Sequence, residues 1–324
     1  MQIVNECIGA WKFQVISVCQ RLGIYELLSE GPLHLRTLAE KTKAPESSLE
    51  RLLNAAVAIK ILDKKDGRYH NGAIVCDTLV SDARGYLGNW MNLMSLWYPT
   101  FGKLETAIRR NESVSDINCS ANSDAVRLFV RGMIDYASYR GTDILNYIDL
   151  KGKKHLLDIG GGPAIYSIIF CKRYQDLVCT NLDFPLALEV AEELIQKEGL
   201  QDRIRLRPGN YTSDSFGEGY DVVFLSHVLH QEDAATCKKI LMKAFGALVS
   251  GGTIIVQAMF PNEENTGTTF QVLHDLLCLL IFPRGRNHSV AETRVWLEEA
   301  RFVEIVHTPL SMFNENSIIV ARKL

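Results

Sequence analysis

The stretch Leu156-Leu157-Asp158-Ile159-Gly160-Gly161-Gly162-Pro163-Ala164 carries the strongest local signal in this chain. A short apolar run typical of a buried strand leads into three consecutive glycines and then into a helical pattern. Glycines at such a point let the backbone approach a ligand closely, at the carboxyl edge where open sheets bind their ligands. The stretch therefore predicts a strand, a turn and a helix that together form a ligand-binding edge.

The chain around this stretch alternates between short apolar runs and helical patterns. The predicted strands are 155–159, 178–182, 204–207, 221–226, 252–258, 302–306 and 316–322. The predicted helices between them are 164–174, 186–198, 234–248 and 290–300. Such alternation predicts a doubly wound, mostly parallel sheet. The last two strands have no helix between them, so we expect them to form an antiparallel hairpin.

The N-terminal part of the chain is predicted to be mainly helical. Apolar residues at helical spacing over 8–28 predict a first helix. Ser47 followed by Glu50 is a capping-box pattern, so a further helix is expected to begin near Ser48. Asp66-Gly67 predicts a tight hairpin turn, and the order helix, turn, helix, hairpin outlines a winged helix.

Two more amphipathic helices are predicted at 83–110 and 122–147, joined by a polar stretch. We place the domain boundary in that stretch, with a helical, winged-helix-like domain at 1–115 and a ligand-binding domain at 116–324. The second of these helices then bridges into the C-terminal domain.

Length and composition exclude several classes of protein. The chain has 324 residues, 47% of them hydrophobic and 23% charged, which suits two globular domains. A net charge of −3 gives no basic field for nucleic acid or an anionic membrane. The N-terminus lacks the order of a signal peptide, and no stretch has the roughly 18 uninterrupted apolar residues of a membrane span. Eight scattered cysteines without a CxxC pair indicate free thiols, so a cytoplasmic protein is expected.

Two acidic residues lie where they could bind a nucleoside. Asp183 ends the next predicted strand and can accept two hydrogen bonds from ribose hydroxyls. Asp158 suits a cationic or amine-bearing ligand better than a pyrophosphate, which a carboxylate would repel. A nicotinamide-binding fold also needs a third glycine where this chain has Ile165. These residues favour a cationic nucleoside over a dinucleotide.

The segment Arg207-Pro208-Gly209-Asn210-Tyr211 follows the third predicted strand of this domain. The side chain of Asn210 could bond an adenine edge, and the ring of Tyr211 could cover the adenine face. Taken alone, the segment is explained equally well as an ordinary turn.

With these motifs the chain resembles the small-molecule O-methyltransferases, which include plant phenylpropanoid enzymes, acetylserotonin O-methyltransferase and bacterial antibiotic-tailoring enzymes. The resemblance covers nearly the whole chain. Its segments are Leu22-Gly23-Ile24-Tyr25-Glu26-Leu27-Leu28, Leu38-Ala39, Leu157–Gly162, Leu182-Asp183-Phe184-Pro185, Gly209-Asn210-Tyr211 and the stretch from Val228-Leu229-His230 to Lys239-Ile240-Leu241. Asn210 replaces the aspartate of the family's Gly-Asp-Phe segment.

The resemblance implies a class I methyltransferase fold: a Rossmann-like, doubly wound α/β sheet behind an N-terminal, all-helical winged-helix dimerisation domain. It implies S-adenosyl-L-methionine as cofactor, a small and largely apolar acceptor, and an intertwined homodimer in which the N-terminal domain helps to line the partner's pocket. No nucleic-acid or membrane partner is expected. The acceptor implied first is a hydroxyl of an aromatic or polyketide-like metabolite.

The resemblance also implies which residues bind the cofactor and the acceptor. The cofactor set is Asp158, Gly160, Gly162, Asp183, Phe184, Asn210, Tyr211 and Ser226. The acceptor set is Met133, Trp97, Phe270, His274 and Asp275, with Trp90, Met94 and Tyr98 as further candidates. Plain helix core explains most of this stripe of aromatic residues and methionines equally well.

By resemblance, His230 is the general base for a hydroxyl acceptor, and its unperturbed pKa near neutrality suits that task. The carboxylates that orient this histidine in plant members are replaced here by Gln257 and Asn287. An amide can hold an imidazole by a hydrogen bond, but it cannot stabilise the imidazolium by charge. Base catalysis through His230 is therefore open, and an unusually acidic or carbon-centred acceptor is an alternative. The predicted catalytic residues are His230, His274, Gln257 and Asn287.

His274-Asp275 lies in the predicted helix Phe270–Leu280, which lines the acceptor pocket in the family. We interpret His274 first as a second polar anchor, then as a surface-facing helix residue, and last as a metal ligand. No second metal ligand is recognised at helical spacing, where position 278 is a cysteine and position 271 a glutamine. No metal site is expected.

Two rival functions remain open at this point. The first is a C-methyltransferase or a non-methylating enzyme of the same fold, in which the bound sulfonium assists a rearrangement or decarboxylation. The missing carboxylates around His230 favour this rival. The second is a winged-helix DNA-binding regulator with a ligand domain. Residues 33–70 contain eight Lys or Arg and five Asp or Glu. This excess of positive charge is too small for a domain that binds in a DNA groove.

Overall fold

The computed structural model describes residues 2–115, 123–262, 264, 266–310 and 316–324. The chain forms two compact units, residues 1–97 and 98–324. The predicted boundary between 115 and 116 stays a prediction, because residues 116–122 lie outside the described residues. In the described part of the chain, none of the helices combines the length and apolarity needed to cross a membrane.

The N-terminal unit has the outline of a winged helix. Its helices are α1 (Gln2–Cys7), α2 (Gly9–Arg21), α3 (Ile24–Ser29), α4 (Leu35–Thr42), α5 (Glu46–Ala58) and α6 (Ala73–Thr78), and α7 (Gly88–Phe101) crosses the boundary between the units. Its strands are β1 (Leu33–His34), β2 (Leu62–Lys65) and β3 (Arg68–Asn71), which form an antiparallel sheet in the order β1-β3-β2. Since this sheet is present, the unit is not wholly helical.

Local backbone chemistry explains where the predictions for this unit hold and where they fail. The hairpin turn is confirmed, since Asp66 and Gly67 both adopt positive φ between β2 and β3. The helix predicted over 8–28 is two helices, because Gly23 turns the chain with a φ of +69°. The capping box is wrong: α5 begins at Glu46, and the Ser48 hydroxyl donates to the Pro45 carbonyl instead.

The C-terminal unit alternates strands and helices as predicted. Its strands are β4 (His155–Ile159), β5 (Val178–Asp183), β6 (Ile204–Pro208), β7 (Tyr220–Ser226), β8 (Leu248–Ala258), β9 (Val303–Pro309) and β10 (Ser317–Arg322). Its helices are α8 (Leu104–Arg110), α9 (Ser123–Arg140), α10 (Ile165–Arg173), α11 (Pro185–Lys197), α12 (Ala234–Ala247), α13 (Thr269–Ile281) and α14 (Val290–Glu299). Gly141–Asn146 and Leu229–Gln231 are short 3-10 helices.

Two predicted helices differ from those observed. The helix predicted over 83–110 is divided into α7 and α8 by the short break at Gly102-Lys103. The helix predicted over 122–147 is α9 followed by the 3-10 helix Gly141–Asn146. In both cases the apolar spacing missed the break, and the first helix begins at Gly88 rather than at residue 83.

The seven-stranded sheet has the order β6-β5-β4-β7-β8-β10-β9. The strands β4 to β8 are parallel, and β10 pairs antiparallel with both β8 and β9, which confirms the predicted C-terminal hairpin. The chain runs outward from β4 to β5 and β6 on one side, and to β7 and β8 on the other. Ligands of open α/β sheets bind at the carboxyl ends of the strands at this switch point, so the glycine stretch after β4 lies at the expected place.

Alternation along β4 decides which side chain faces which layer. Leu157 and Ile159 lie in the apolar cluster of one sheet face, with residues of α12 and α14. Leu156 lies in the cluster of the other face, with residues of α10 and α11. Because side chains alternate along a strand, Asp158 faces the same layer as Leu156 and lies under the start of α10. A carboxyl group is thereby buried behind the glycine turn.

Candidate functional site

The turn after β4 is shaped by its three glycines. Gly160 and Gly162 have positive φ angles of +65° and +51°, which L side chains rarely adopt. A Cβ on Gly160 would lie 2.7 Å from the Val228 side chain, and a Cβ on Gly161 would overlap the side-chain oxygen of Asn181. Glycine is therefore required at 160 and 162 by backbone conformation and at 161 by lack of space.

Two buried oxygen atoms behind this turn have no hydrogen-bond partner among the described residues: Asp158 Oδ1 and Asn181 Oδ1. The register of β4 and β5 pairs these two residues directly. The other oxygen of Asp158 accepts a hydrogen bond from the Ser167 hydroxyl at 2.7 Å. Burial raises the pKa of Asp158 to about 7. Since buried acceptors rarely lack partners, this pair indicates a place for a hydrogen-bond donor or a cation.

Asp183, at the end of β5, ties the glycine turn to the neighbouring strand. One carboxylate oxygen accepts a hydrogen bond from the backbone N–H of Gly162, and the other from that of Phe184, both at 2.7 Å. Each oxygen retains a second lone pair, so the carboxylate can still accept hydrogen bonds from a diol. The Phe184 ring beside it is 48% exposed and can cover a ligand.

Side chains of the segment after β6 form hydrogen bonds within the protein that its sequence did not indicate. Asn210 Oδ1 accepts hydrogen bonds from the backbone N–H and the hydroxyl of Thr212, which closes a turn. The Tyr211 ring is buried in the core, and its hydroxyl donates towards the side chains of Gln231 and Glu232. The roles predicted for Asn210 and Tyr211 at an adenine base stay predictions.

A polar chain links β7, β8 and α10 beneath this edge. The Ser226 hydroxyl donates to Gln257 Oε1 at 3.3 Å, and Gln257 Nε2 donates to the Tyr166 hydroxyl oxygen at 3.0 Å. Ser226 and Gln257 are adjacent because the parallel strands pair at these positions. Burial raises the pKa of Tyr166 to about 12, so its hydroxyl remains a donor.

His230 lies in the 3-10 helix that follows β7 and is 8% exposed. Its Nδ1 atom is buried without a hydrogen-bond partner among the described residues. Burial, followed by the neighbouring imidazoles of His274 and His227, holds the pKa of His230 well below its ordinary value. The imidazole is therefore neutral and has the lone pair that a base needs.

The two amides expected to hold His230 bond elsewhere, which corrects the sequence-based expectation. Gln257 bonds Ser226 and Tyr166, as described above. Asn287 Oδ1 lies 3.0 Å from Nδ1 of His274, and Asn287 Nδ2 donates to the Gln271 carbonyl at 3.0 Å. The sequence could not show which of the two histidines Asn287 bonds, because the rings of His230 and His274 lie close together, with centroids 4.9 Å apart.

Rings from three elements continue the site beyond His230. Tyr136 of α9 lies edge-on to His227 at 5.9 Å and stacks on Phe270 of α13 at 6.5 Å. Phe270 in turn stacks on His274 at 6.4 Å. These rings give the site an apolar, aromatic wall that suits an aromatic acceptor.

The remaining residues predicted to bind the acceptor lie in different places. Met133 is partly buried on α9, one turn before Tyr136. Asp275 accepts a hydrogen bond from the backbone N–H of Asn287 and so holds that loop. Trp97 belongs to the N-terminal unit, and its contact with an acceptor stays a prediction.

Sequence reasoning missed four residues of this site: Tyr136, Tyr166, Asn181 and Cys278. Asn181 lies two positions before Asp183 on the same strand, so period-two alternation places both on one face and could have identified it. Cys278 lies one helical turn after His274, and its sulfur is 3.6 Å from His274 Nδ1. Tyr136 and Tyr166 carry no local signal, since only their partners distinguish them from core tyrosines.

The residues at the glycine turn fit S-adenosylmethionine. Asp158 and Asn181 offer acceptor oxygens without partners, and Asp183 offers two. A ligand that presents an ammonium group, a ribose diol and a cationic centre would complement all three. No cationic side chain forms a salt bridge to Asp158 or Asp183 among the described residues.

Comparison with known proteins agrees with this fit. A family model of the O-methyltransferase domain matches residues 113–303, and a model of the O-methyltransferase dimerisation domain matches residues 5–82. The chain is 26% identical to 3-hydroxy-5-methyl-1-naphthoate 3-O-methyltransferase of Streptomyces sahachiroi over 97% of this chain and 93% of that protein. It is also 26% identical to L-tyrosine C(3)-methyltransferase of Streptomyces lavendulae, over 82% and 76% of the two chains.

Among solved structures, human N-acetylserotonin methyltransferase in complex with S-adenosylmethionine superposes with a TM-score of 0.90 at 22% identity. The superposition covers 99% of this chain and 96% of the human chain, and it shows a common fold over both units. The domain model alone spans more than half of the sequence. The protein therefore belongs to the O-methyltransferase family and is an S-adenosylmethionine-dependent methyltransferase.

Proposed function

We propose that the protein methylates a hydroxyl oxygen of a small, largely apolar aromatic or polyketide-like metabolite. The pair of unpartnered acceptors at the glycine turn, Asp158 Oδ1 and Asn181 Oδ1, carries the cofactor part of this proposal. The aromatic wall of Tyr136 and Phe270 beside His230 and His274 supports an apolar, aromatic acceptor. The similarity to a naphthoate 3-O-methyltransferase agrees with such an acceptor.

S-adenosylmethionine supplies a methyl group that its sulfonium centre already activates. The protein then has mainly to align donor and acceptor, and alignment contributes roughly 7–11 kcal/mol to such reactions. Asp158 and Asp183 would hold the amine and ribose ends of the cofactor. His230, neutral and buried, would receive the proton of the acceptor hydroxyl, an effect typically worth about 10²–10⁴-fold in rate. The aromatic wall of Tyr136 and Phe270 would orient the acceptor and exclude water.

A C-methylating enzyme is a second candidate for a specific reason. No carboxylate hydrogen-bonds to His230 among the described residues, and the protein is also similar to a tyrosine C-methyltransferase. A carbon nucleophile that is already electron-rich needs less help from a base. The position of the added methyl group in the product distinguishes the two methylating candidates.

The function is tested by incubating the protein with methyl-labelled S-adenosylmethionine and a panel of phenols, naphthoates and hydroxyquinones. Mass spectrometry is expected to detect a labelled methyl ether together with an equal amount of S-adenosylhomocysteine. A labelled methyl on carbon would favour the second candidate. Turnover of an acceptor without S-adenosylhomocysteine would contradict the proposed function.

Cofactor affinity is expected to increase as the pH rises from about 5.5 to 7. Asp158 has a pKa of about 7 in the free protein, raised by burial, so it is largely protonated below that pH. A bound ammonium group favours the carboxylate, so binding releases a proton and weakens up to about tenfold per pH unit below the pKa. Calorimetry across this range measures the effect. Asp158→Asn should bind weakly with no such slope, and a flat profile in the unaltered protein would contradict the prediction.

We also propose a homodimer formed through the N-terminal unit. The match to a dimerisation domain over residues 5–82 supports it. So do three large apolar side chains on α1 and α2 that are exposed in the single chain: Ile3, Val4 and Trp11. Free thiols at all the described cysteines support the further proposal of a cytoplasmic location.

Trp11→Glu is expected to weaken the dimer about tenfold or more. The Trp11 side chain is 72% exposed in the single chain, and aromatic residues of this kind dominate the energy of interfaces. Sedimentation over a range of concentrations measures the dissociation constant. Val306→Glu is the control, because it places the same charge on an exposed apolar residue of β9, in the other unit. Equal dimer stability in both variants would argue against this interface.

A further inference from the structure

The loop between α13 and α14, residues 282–289, lies against the turn that carries His230. A Cβ on Gly285 would lie 2.8 Å from the carbonyl oxygen of His230, so glycine is what lets the loop backbone approach this closely. The Phe282 ring lies 5.7 Å from the His230 ring, measured between centroids. The loop is therefore packed against both the backbone and the side chain of the proposed base.

His288 of this loop bonds both ends of that turn. Its Nε2 atom lies 3.1 Å from the Leu229 carbonyl oxygen and 3.0 Å from the Glu232 carbonyl oxygen. Carbonyl oxygens only accept hydrogen bonds, so Nε2 carries the proton and donates to both. Leu229 directly precedes His230, and Glu232 directly follows the 3-10 helix Leu229–Gln231. One imidazole N–H thus ties the two ends of the turn together.

The surroundings of His288 keep its ring in place and neutral. The ring is buried and lies edge-on to the Trp296 ring of α14, with centroids 4.8 Å apart. Burial is the largest reason that the pKa of His288 lies below its ordinary value. Its Nδ1 atom is buried without a partner among the described residues, so a second proton there would be unsatisfied. The side chain is therefore a fixed donor to the turn.

The residue before His288 bonds the other histidine of the site. Asn287 Oδ1 lies 3.0 Å from Nδ1 of His274, and Asn287 Nδ2 donates to the Gln271 carbonyl of α13 at 3.0 Å. Two consecutive residues of one loop therefore bond α13 and the turn of His230. Because consecutive Cα atoms are about 3.8 Å apart, this pair limits how far the two elements can separate.

The turn that carries His230 is short and has little regular structure of its own. Its 3-10 bonds run from the Gln231 N–H to the Val228 carbonyl and from the Glu232 N–H to the Leu229 carbonyl. Hydrogen bonds of 3-10 helices have poorer geometry than those of α-helices. His230 Nδ1 has no hydrogen-bond partner in the described part of the chain. The position of the imidazole therefore depends on where the turn places its backbone.

We propose that His288 is a positioning residue for methyl transfer, which holds the turn of His230 where the imidazole can receive the proton of the acceptor hydroxyl. The inference rests on the proposed function, in which His230 is the base. A hydrogen bond to the backbone around His230 would then do what an orienting carboxylate does on a catalytic imidazole itself. A misplacement of about 1 Å can slow such a reaction about 100-fold, so a fixed turn matters for turnover.

His288→Leu removes the donor and keeps a side chain of similar bulk. The single-turnover rate with saturating S-adenosylmethionine and 1-naphthol is expected to fall at least tenfold. The KM of the acceptor and the affinity for the cofactor should stay within about threefold. His288→Gln should restore the rate to within about threefold of the unaltered protein, because its amide N–H donates from nearly the same place. An unchanged rate in His288→Leu would overturn the proposal.

A double-mutant cycle shows whether His288 acts through His230. In the His230→Ala background, His288→Leu should slow the remaining reaction less than about threefold, since there is no imidazole left to position. Residues that act as one unit show this kind of non-additivity. At least tenfold slowing in both backgrounds would mean that His288 does not act through the base, and would overturn the assignment.

Arg284→Ala is the matched control. Arg284 belongs to the same loop and forms ion pairs with Glu232 and Asp233, next to the same turn. Its side chain is 60% exposed, and exposed ion pairs contribute little. The rate should therefore fall less than about threefold. A tenfold loss in this variant as well would show that any disturbance of the loop slows the reaction, and would contradict a specific role for His288.

Hydrogen exchange measures the turn without any turnover. The amide N–H groups of Gln231 and Glu232 close the 3-10 helix, and their protection is expected to fall at least tenfold in His288→Leu. Protection should be unchanged in Arg284→Ala and in His288→Gln. Unchanged protection in His288→Leu would show that His288 does not hold the turn. If the leucine variant does not fold, His288→Asn gives the same readouts, because its amide is too short to reach both carbonyls.

Failure of this inference and failure of the proposed function give different results. Protein that methylates acceptors equally fast after His288→Leu keeps the function and loses the inference. Protein that releases no S-adenosylhomocysteine with any acceptor loses the function. If its turn still loses protection in His288→Leu, the bond of His288 is purely structural and the role in methyl transfer is overturned.

Discussion

Asp183→Ala is expected to weaken the binding of S-adenosylmethionine about 100-fold or more. The Asp183 carboxylate accepts hydrogen bonds from the N–H groups of Gly162 and Phe184, and it would accept two more from the ribose. Hydrogen bonds to a charged group contribute about 1.5–3 kcal/mol each, so losing the two ribose bonds costs about 3 kcal/mol or more. The variant also releases the glycine turn from β5, which adds to the loss. Isothermal calorimetry measures the affinity.

The control for this prediction is Asp176→Ala. Asp176 is an exposed carboxylate of the same unit that pairs with Lys154 at the surface. Its removal should leave cofactor affinity unchanged. Asp183→Asn should fall between the alanine variant and the unaltered protein, because one acceptor oxygen remains. Affinity of Asp183→Ala within about threefold of the unaltered protein would show that the cofactor is not held at this strand end.

His230→Ala is expected to lower turnover at least tenfold, and about 10²–10⁴-fold if the imidazole acts as a full general base. The imidazole is buried and neutral, and it lies beside the aromatic rings of the site, so it can receive a proton. Cofactor affinity should persist, because no hydrogen bond joins the His230 side chain to Asp158, Asn181 or Asp183 among the described residues. Single-turnover kinetics with saturating cofactor separate the chemical step from binding.

His155→Ala is the control for His230→Ala. His155 is exposed at the start of β4, at the opposite end of the strand from the glycine turn. Turnover should be unaffected there. If His230→Ala turned over at the unaltered rate, His230 would not be the base, and the second candidate function would gain support.

Much of this fold could be predicted because its signals are local. The apolar run before Gly160, the glycines and the helical pattern after them specify β4, the turn and α10 within about twenty residues. The position of Asp183 follows from the next strand by the same reasoning. Parallel strands then bring both strand ends to one edge, whatever the rest of the chain does.

The breaks inside helices were harder to predict, since apolar spacing does not report them. Gly23 ends one helix where the pattern runs on, and α5 begins at Glu46, two residues before the predicted start near Ser48. Pro45 takes the N-cap position and no side chain caps this helix, so Ser47 does not act as the expected cap. Local propensity therefore predicted that helices exist more reliably than it predicted their ends.

The sequence alone determined the class of fold, the cofactor edge and the family, because each depends on spacing along one stretch of chain. Only the tertiary structure decided the partners of the side chains predicted to be catalytic. Asn287 bonds His274 rather than His230, Gln257 bonds Tyr166, and Cys278 joins the two histidines. These pairings depend on which faces of α13, α10 and the 3-10 helix after β7 meet, and on the rotamers chosen there. Sequence spacing predicts contacts only between residues three or four positions apart on one helix. It does not predict contacts between separate elements.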